Sequence, residues 1–159
     1  AFRFRGFYSI GEAPDFFWFG GNGEVRGYPY LAFVGNKAFF ANAELRFPII
    51  EAALTPIGIF GPIRGSVFFD MGGAAYNDEP FNIFTRERRL SSLGVQCGPA
   101  GFAPCISEGF GLKDTVASYG VGVGLTAFGM PFNWSFAKLT DLSTTLDEWK
   151  IDFWIGFPF

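Results

Sequence analysis

Residues 38–48 read Ala-Phe-Phe-Ala-Asn-Ala-Glu-Leu-Arg-Phe-Pro, and this stretch carries the pattern that decides the fold. Every second side chain is apolar, and the positions between them are mostly polar. The apolar set is Phe39, Ala41, Ala43, Leu45 and Phe47, and the other set is Phe40, Asn42, Glu44 and Arg46. A period of two residues is typical of a β-strand with one apolar and one polar face. We expect Pro48 to end the strand, because proline cannot donate a hydrogen bond to a neighbouring strand.

The same alternation recurs along the chain and predicts an all-β protein. The predicted strands cover about 1–10, 38–48, 63–73, 115–128, 132–140 and 149–158. Their apolar stretches are close to the ~9–11 residues that a tilted strand needs to cross a bilayer. One face of the last strand is apolar throughout, and it consists of Trp149, Ile151, Phe153, Ile155, Phe157 and Phe159. We therefore predict a transmembrane antiparallel β-barrel.

The composition also favours a membrane barrel over a soluble domain. Of the 159 residues 23 are Phe, and aromatic residues (20%) outnumber charged ones (17%). A soluble domain of this size has too little interior for so many large rings. No stretch approaches the ~20 apolar residues of a transmembrane helix, whereas barrel strands place every second residue against lipid. The net charge of -3 gives no basic surface for nucleic acid.

The connections between the predicted strands sort into two sides. The turn at 129–131 and the link at 49–62 fall on one side, and the loops 11–37, 74–114 and 141–148 fall on the other. Outer-membrane barrels have short periplasmic turns and long extracellular loops. The long loops are therefore expected outside the cell and the C-terminus in the periplasm of a Gram-negative type of bacterium.

Six strands are too few to close the usual bacterial barrel, for which eight is the practical minimum. An open sheet edge cannot lie in lipid, because its N–H and C=O groups would lack partners. We expect the remaining strands to come from upstream residues or from another chain. The first residue is Ala1 rather than Met, which indicates either a processed protein or, as we expect, the ordered part of a longer polypeptide.

Residues 20–28, Gly-Gly-Asn-Gly-Glu-Val-Arg-Gly-Tyr, form a glycine-rich segment of the 11–37 loop. A connection of this length suits a functional loop better than a turn. We predict that it folds back into the lumen, where Arg26 would pair with Glu44 and Asp70. Both acids lie on the polar faces of their strands by parity, and arginine offers a rigid fork of donors to carboxylates. The glycines permit tight turns and a close approach to the barrel wall.

Three motifs together resemble the BamA superfamily, a group of outer-membrane assembly and translocation barrels that includes the two-partner-secretion transporters. They are Val25-Arg26-Gly27-Tyr28, Asn42-Ala43-Glu44 and Phe68-Phe69-Asp70-Met71-Gly72. In that family an inward-folded sixth extracellular loop carries a V/I-R-G-F/Y tip, and its arginine docks on acids of the next two strands. The resemblance implies that the chain forms the last six strands of a sixteen-stranded barrel. It also implies that Val25, Gly27 and Tyr28 are the loop motif around Arg26.

The resemblance further implies a non-enzymatic function without cofactors. Such a barrel inserts or translocates proteins, and a weak seam beside its last strand templates incoming strands by β-augmentation. The expected partners are outer-membrane lipid, client or secreted polypeptides and accessory lipoproteins. The aromatic residues Phe157 and Phe159 resemble the C-terminal signal by which the assembly machinery recognises new barrel proteins.

Two other functions stay open at the level of sequence. The barrel could anchor an enzyme or binding domain that lies upstream, or it could be a structural or pore subunit of a larger outer-membrane complex. The sequence contains no histidine, which excludes a Ser-His hydrolase site within it. The resemblance leads us to expect no catalytic residues in this chain.

Cys97 and Cys105 lie in the long 74–114 loop. With no histidine and no second cysteine pair, the spacing argues against a zinc site. A local disulfide in an oxidising compartment is the prediction, and two free thiols are the alternative.

Overall fold

The structure is a computed structural model that describes residues 1–51, 53–55, 58–87, 89–90, 96–97, 103–104, 106–107 and 109–156. All regular elements in this part of the chain are β-strands. In chain order they are β1 Phe2–Tyr8, β2 Phe17–Phe19, β3 Phe33–Gly35, β4 Lys37–Ile50, β5 Ala53–Thr55, β6 Gly58–Phe60, β7 Ile63–Ala75, β8 Phe84–Thr85, β9 Arg89–Leu90, β10 Gln96–Cys97, β11 Ala103–Pro104, β12 Ile106–Ser107, β13 Gly111–Leu112, β14 Thr115–Ala127, β15 Met130–Thr140 and β16 Lys150–Ile155. Among these residues no helix is long and apolar enough to span a membrane.

The longest strands form one antiparallel sheet, which we call the wall. Within the described residues its order is β1-β4-β7-β14-β15-β16, so each strand pairs with the next long strand of the chain. The shorter strands pair two by two inside the connections. The all-β, antiparallel prediction is confirmed. The wall is open in this chain, with β1 and β16 at its two edges.

The two faces of the wall differ as the alternation predicts. We call the face that carries the loop between β1 and β4 the inner face, and the opposite one the outer face. The outer face is apolar and exposed, and its exposed side chains include Phe2, Phe4, Leu45, Phe47, Val67, Phe69, Val121, Val123, Ile151, Phe153 and Ile155. An exposed apolar surface of this extent marks a face that contacts lipid or another protein.

The hydrophobic core lies between the inner face and the loop between β1 and β4, residues 9–36, which we call the inner loop. Phe19 and Val25 of this loop are fully buried, and they pack with Ala38, Phe40 and Val116 of the wall. Within the loop, β2 and β3 form an antiparallel pair. The loop is therefore packed against the wall and completes the core.

The expectation that Pro48 ends the first clear strand is wrong. β4 continues through Pro48 to Ile50, and its register against β7 shifts between these two residues. Such a bulge tolerates a residue without an N–H donor, because the ladder of hydrogen bonds is already interrupted there.

The tight turn also differs from the predicted 129–131. Only Phe128 and Gly129 lie outside the strands, and Met130 already pairs with Ala127. Phe128 and Gly129 both have positive φ, 54° and 78°. Two-residue hairpin turns with positive φ at both positions match the natural twist of antiparallel strands.

Two predicted features fall partly outside the described residues. Phe157 and Phe159, the proposed recognition signal, lie beyond them. Cys105 does too, so the disulfide with Cys97 stays a prediction.

Candidate functional site

The tip of the inner loop is a tight turn that presents Arg26 to the wall. The backbone N–H of Glu24 donates to the carbonyl oxygen of Gly21 at 3.0 Å. Gly27 follows with a φ of 84°, in the left-handed region that favours glycine. The turn and this glycine reverse the chain on either side of Arg26, so its side chain lies against the inner face.

Arg26 binds Asp70 of β7 through a bidentate ion pair. Its Nε donates to Oδ2 at 2.6 Å and its Nη2 donates to Oδ1 at 2.8 Å. The backbone N–H of Arg26 adds a third bond, to Oδ2 at 3.2 Å. Asp70 is fully buried and Arg26 is 7% exposed. The two opposite charges are therefore held out of water and balance each other.

Three more wall side chains complete the surroundings of the guanidinium. Arg26 Nη1 donates to Glu44 Oε2 at 3.0 Å. The ring centroid of Phe68 lies 3.5 Å from Arg26 Cζ, a cation–π contact. Asn42 Nδ2 donates to Asp70 Oδ1 at 2.9 Å and so orients the carboxylate. We call these five residues the latch cluster.

The register of β4 against β7 brings the wall members of the cluster together. Asn42 is the cross-strand partner of Asp70, and Glu44 is the partner of Phe68. Residues two apart on a strand share a face. The side chains of Asn42, Glu44, Phe68 and Asp70 therefore lie together on one patch of the inner face. The side chain of Arg26 extends from the inner loop onto this patch.

Contact with the inner loop explains why the Phe-x-Asp-x-Gly motif ends in a glycine, Gly72. It lies on the same face as Phe68 and Asp70, one step further along β7. A Cβ at Gly72 would lie 2.9 Å from Cε2 of Phe19 and 3.0 Å from Cγ2 of Val25. The motif thus provides a ring under the guanidinium, a carboxylate beside it and a space into which the loop packs.

The variant Gly72→Ala is expected to destabilise the packed loop. The added methyl group would overpack the contact with Phe19 and Val25, which lowers the free energy of unfolding by about 1–3 kcal/mol. Urea unfolding in detergent, followed by tryptophan fluorescence, measures this loss. Gly6→Ala in β1 is the matched control, because the nearest atom to its Cβ would be a ring carbon of Phe4 at 3.6 Å. Equal losses in the two variants would contradict the explanation.

Arg3 of β1 also contacts the tip, and the sequence reasoning missed it. Its Nε donates to Asn42 Oδ1 at 3.0 Å, and its Nη2 donates to the carbonyl oxygen of Gly23. The guanidinium carbon lies 4.9 Å from the ring centroid of Phe40. The alternation of residues 1–10 places Arg3 on the polar face, which is the signal that could have indicated this role.

Asp152 of β16 is the second residue that was missed. Its Oδ2 accepts a hydrogen bond from the backbone N–H of Gly27 at 3.1 Å. By parity it lies opposite the apolar Ile151 and Phe153, and this alternation is the signal that could have indicated its position on the inner face. Nothing in the sequence indicated which loop residue it would meet.

Tyr28 contributes an aromatic ring to the loop packing. Its ring lies edge-on to Phe33 with the centroids 5.2 Å apart. The hydroxyl oxygen is buried and has no hydrogen-bond partner among the described residues. Burial raises the pKa of the Tyr28 phenol, and the negative charge of Asp141 raises it further. The phenol is therefore neutral at physiological pH, and Tyr28 contributes to the loop through the packing of its ring.

The geometry of the latch cluster suits holding a loop. Both carboxylates of the cluster accept hydrogen bonds from Arg26, and Glu44 also accepts one from Arg46 Nε at 2.8 Å. Within the described ranges, no group of three or more His, Cys, Asp or Glu side chains is arranged to hold a metal ion. The arrangement can fix the tip of the inner loop to β4 and β7.

The comparison with protein families agrees with this geometry. A family model described as the Omp85 superfamily domain matches residues 12–159. No curated protein and no solved structure gives a significant match. Proteins of this superfamily are generally non-enzymatic barrels that work with lipid, client polypeptides and accessory proteins. The match confirms the resemblance to the BamA superfamily. The chain belongs to the Omp85 superfamily of outer-membrane assembly and translocation barrels.

Proposed function

We propose that this chain forms the last part of the wall of a BamA-type barrel, which inserts or translocates polypeptides at the outer membrane. The observation that carries the proposal is Arg26, bound at once to Asp70 and Glu44 beneath the inner loop. This contact fixes a long connection on the inner face of a membrane sheet. In our proposal the docked loop braces the wall while polypeptides pass or assemble beside it.

The outer face supports a position in lipid. Its exposed side chains are large and apolar, as the lipid-facing side of a barrel strand requires. In the proposed orientation the turn at Phe128 and Gly129 is periplasmic, and so is the end of β16. The inner loop and the long connection between β7 and β14 then start from the extracellular side.

The edges of the wall support a barrel with more strands than this chain supplies. Backbone groups at a sheet edge need partners within a membrane. In our proposal upstream residues or another chain provide them and complete a sixteen-stranded barrel. Within the described residues β16 pairs with β15 over 132–137 and 150–155, whereas β14 pairs with β15 over 117–127 and 130–140. β16 also lies at an edge of the wall, and an edge strand can accept an incoming strand by β-augmentation.

The proposed function is tested by reconstituting the whole protein into liposomes. We expect it to accelerate the insertion of an unfolded outer-membrane β-barrel client or the passage of a secreted polypeptide into the vesicles. Protease protection measures both activities, and heat-modifiable electrophoretic mobility measures client folding. Liposomes with an unrelated barrel are the control. Ion conductance without either activity would contradict the proposal and favour the pore alternative.

A further inference from the structure

The tip of the inner loop reaches beyond the two carboxylates that hold Arg26. The next residue, Gly27, donates its backbone N–H to Asp152 Oδ2 at 3.1 Å, and these residues are 125 positions apart. Asp152 belongs to β16, at the edge of the wall. Two successive loop residues are therefore bound to strands that are three places apart in the order β7-β14-β15-β16.

Packing at Gly27 agrees with this contact. A Cβ on Gly27 would lie 2.9 Å from Cδ2 of Leu139, 3.0 Å from Cβ of Ala137 and 3.6 Å from Cβ of Lys150. Leu139 and Ala137 belong to β15, and Lys150 begins β16. The backbone of the tip thus lies directly on the last two strands, where a side chain at position 27 would crowd β15.

β16 is an edge strand of the wall. Within the described residues it pairs with β15 alone, and its paired segment is 150–155. A hydrogen bond to a carboxylate is stronger than one between neutral groups. The bond between Gly27 and Asp152 therefore links the inner loop to a strand at the edge of the wall.

We infer that Asp152 is a positioning residue that ties the tip of the inner loop to the last strand, so that docking of the loop holds β16 in the wall. The inference rests on the proposed function, because it gives the docked loop a role at the seam. It predicts that the tip and β16 loosen together when the carboxylate is removed, even though Arg26 and its two acids are intact.

Hydrogen exchange of the whole protein in lipid nanodiscs tests the inference. For Asp152→Ala we expect peptides covering residues 24–30 and 148–156 to exchange at least about tenfold faster than in the wild type. For Asp152→Asn, which keeps an acceptor oxygen but no charge, we expect a smaller acceleration in the same two segments. Asp147→Asn is the matched control, because it removes the same charge from an exposed side chain just before β16.

The outcomes distinguish a role of Asp152 in tying the inner loop to β16 from a role in stabilising β16 alone. Faster exchange in 148–156 with unchanged exchange in 24–30 would overturn the inference, since Asp152 would then stabilise only its own strand. Unchanged exchange in both segments would overturn it as well. If the wild type promotes client insertion in liposomes but hydrogen exchange in the variants equals that of the wild type, the inference is wrong and the proposed function stands. Coupled exchange without client insertion or translocation would leave the tether in place and contradict the proposed function.

Discussion

The variant Arg26→Ala is expected to lower the free energy of unfolding by about 3–5 kcal/mol, because the charge of the fully buried Asp70 would lose its partner. Two side-chain hydrogen bonds to Asp70 and one to Glu44 disappear with the guanidinium. The contact with the ring of Phe68 disappears too. In the proposed function the loop would then leave the wall, and client insertion or translocation would slow.

Urea unfolding in detergent and the liposome assay measure these two effects on the same preparation. Arg64→Ala is the matched control, since Arg64 is exposed on the inner face of β7. Exposed substitutions usually change stability by no more than about 0.5 kcal/mol. If Arg26→Ala were as stable and as active as Arg64→Ala, the latch cluster would contribute neither to stability nor to client insertion or translocation.

The second large effect concerns Asp70, and it shows most clearly in a double-mutant cycle. Asp70→Ala removes the acceptor of three hydrogen bonds from Arg26 and one from Asn42. We expect it to cost about 3–5 kcal/mol, because among the described residues the buried guanidinium then has Glu44 alone as a charge partner. In the variant with both Arg26→Ala and Asp70→Ala neither charge is left uncompensated.

The double variant should therefore be about as stable as either single variant. The coupling energy from the cycle is expected to reach about 3 kcal/mol, near the upper end for residues in contact. Unfolding of the four proteins under one set of conditions gives this energy directly. Additive losses would contradict a direct pair between Arg26 and Asp70, since independent sites add. The corresponding cycle with Glu44→Ala should give a smaller coupling, because Glu44 accepts one bond from Arg26 through Nη1.

Much of the fold could be predicted from the sequence, because strands in a membrane obey a strict two-residue alternation. Lipid on one side and a polar lumen on the other leave little freedom in which way each side chain points. The error at Pro48 arose because the strand bulges there, and a bulge depends on the register with the neighbouring strand. The turn after β14 was placed too far along because positive φ at Phe128 has no signature in its residue type.

The candidate site was predictable to the extent that parity and the motifs define it. Parity places Glu44 and Asp70 on the inner face, and the structure brings both to Arg26. The role of Gly72 could not be predicted from the sequence, because it depends on the contact of this position with Phe19 and Val25 of the inner loop. Asp152 could be assigned to the lumen, but its partner depends on how far the loop reaches across the wall. Contacts between distant segments follow from the three-dimensional path of the loop.

The bond between Gly27 and Asp152 has a consequence for the entropy of folding. Arg26 is 18 residues from Glu44 and 44 from Asp70, whereas Gly27 is 125 residues from Asp152. The entropy lost on closing a loop grows with its length, and pairing of the intervening strands shortens the distance that remains to be closed. Closing the contact between Gly27 and Asp152 from an unpaired chain therefore costs more entropy than closing either contact of Arg26, and pairing of β7, β14, β15 and β16 lowers that cost. Seating of the tip and pairing of the last strands thus stabilise each other, because each of these contacts shortens the stretch of chain that the other must close.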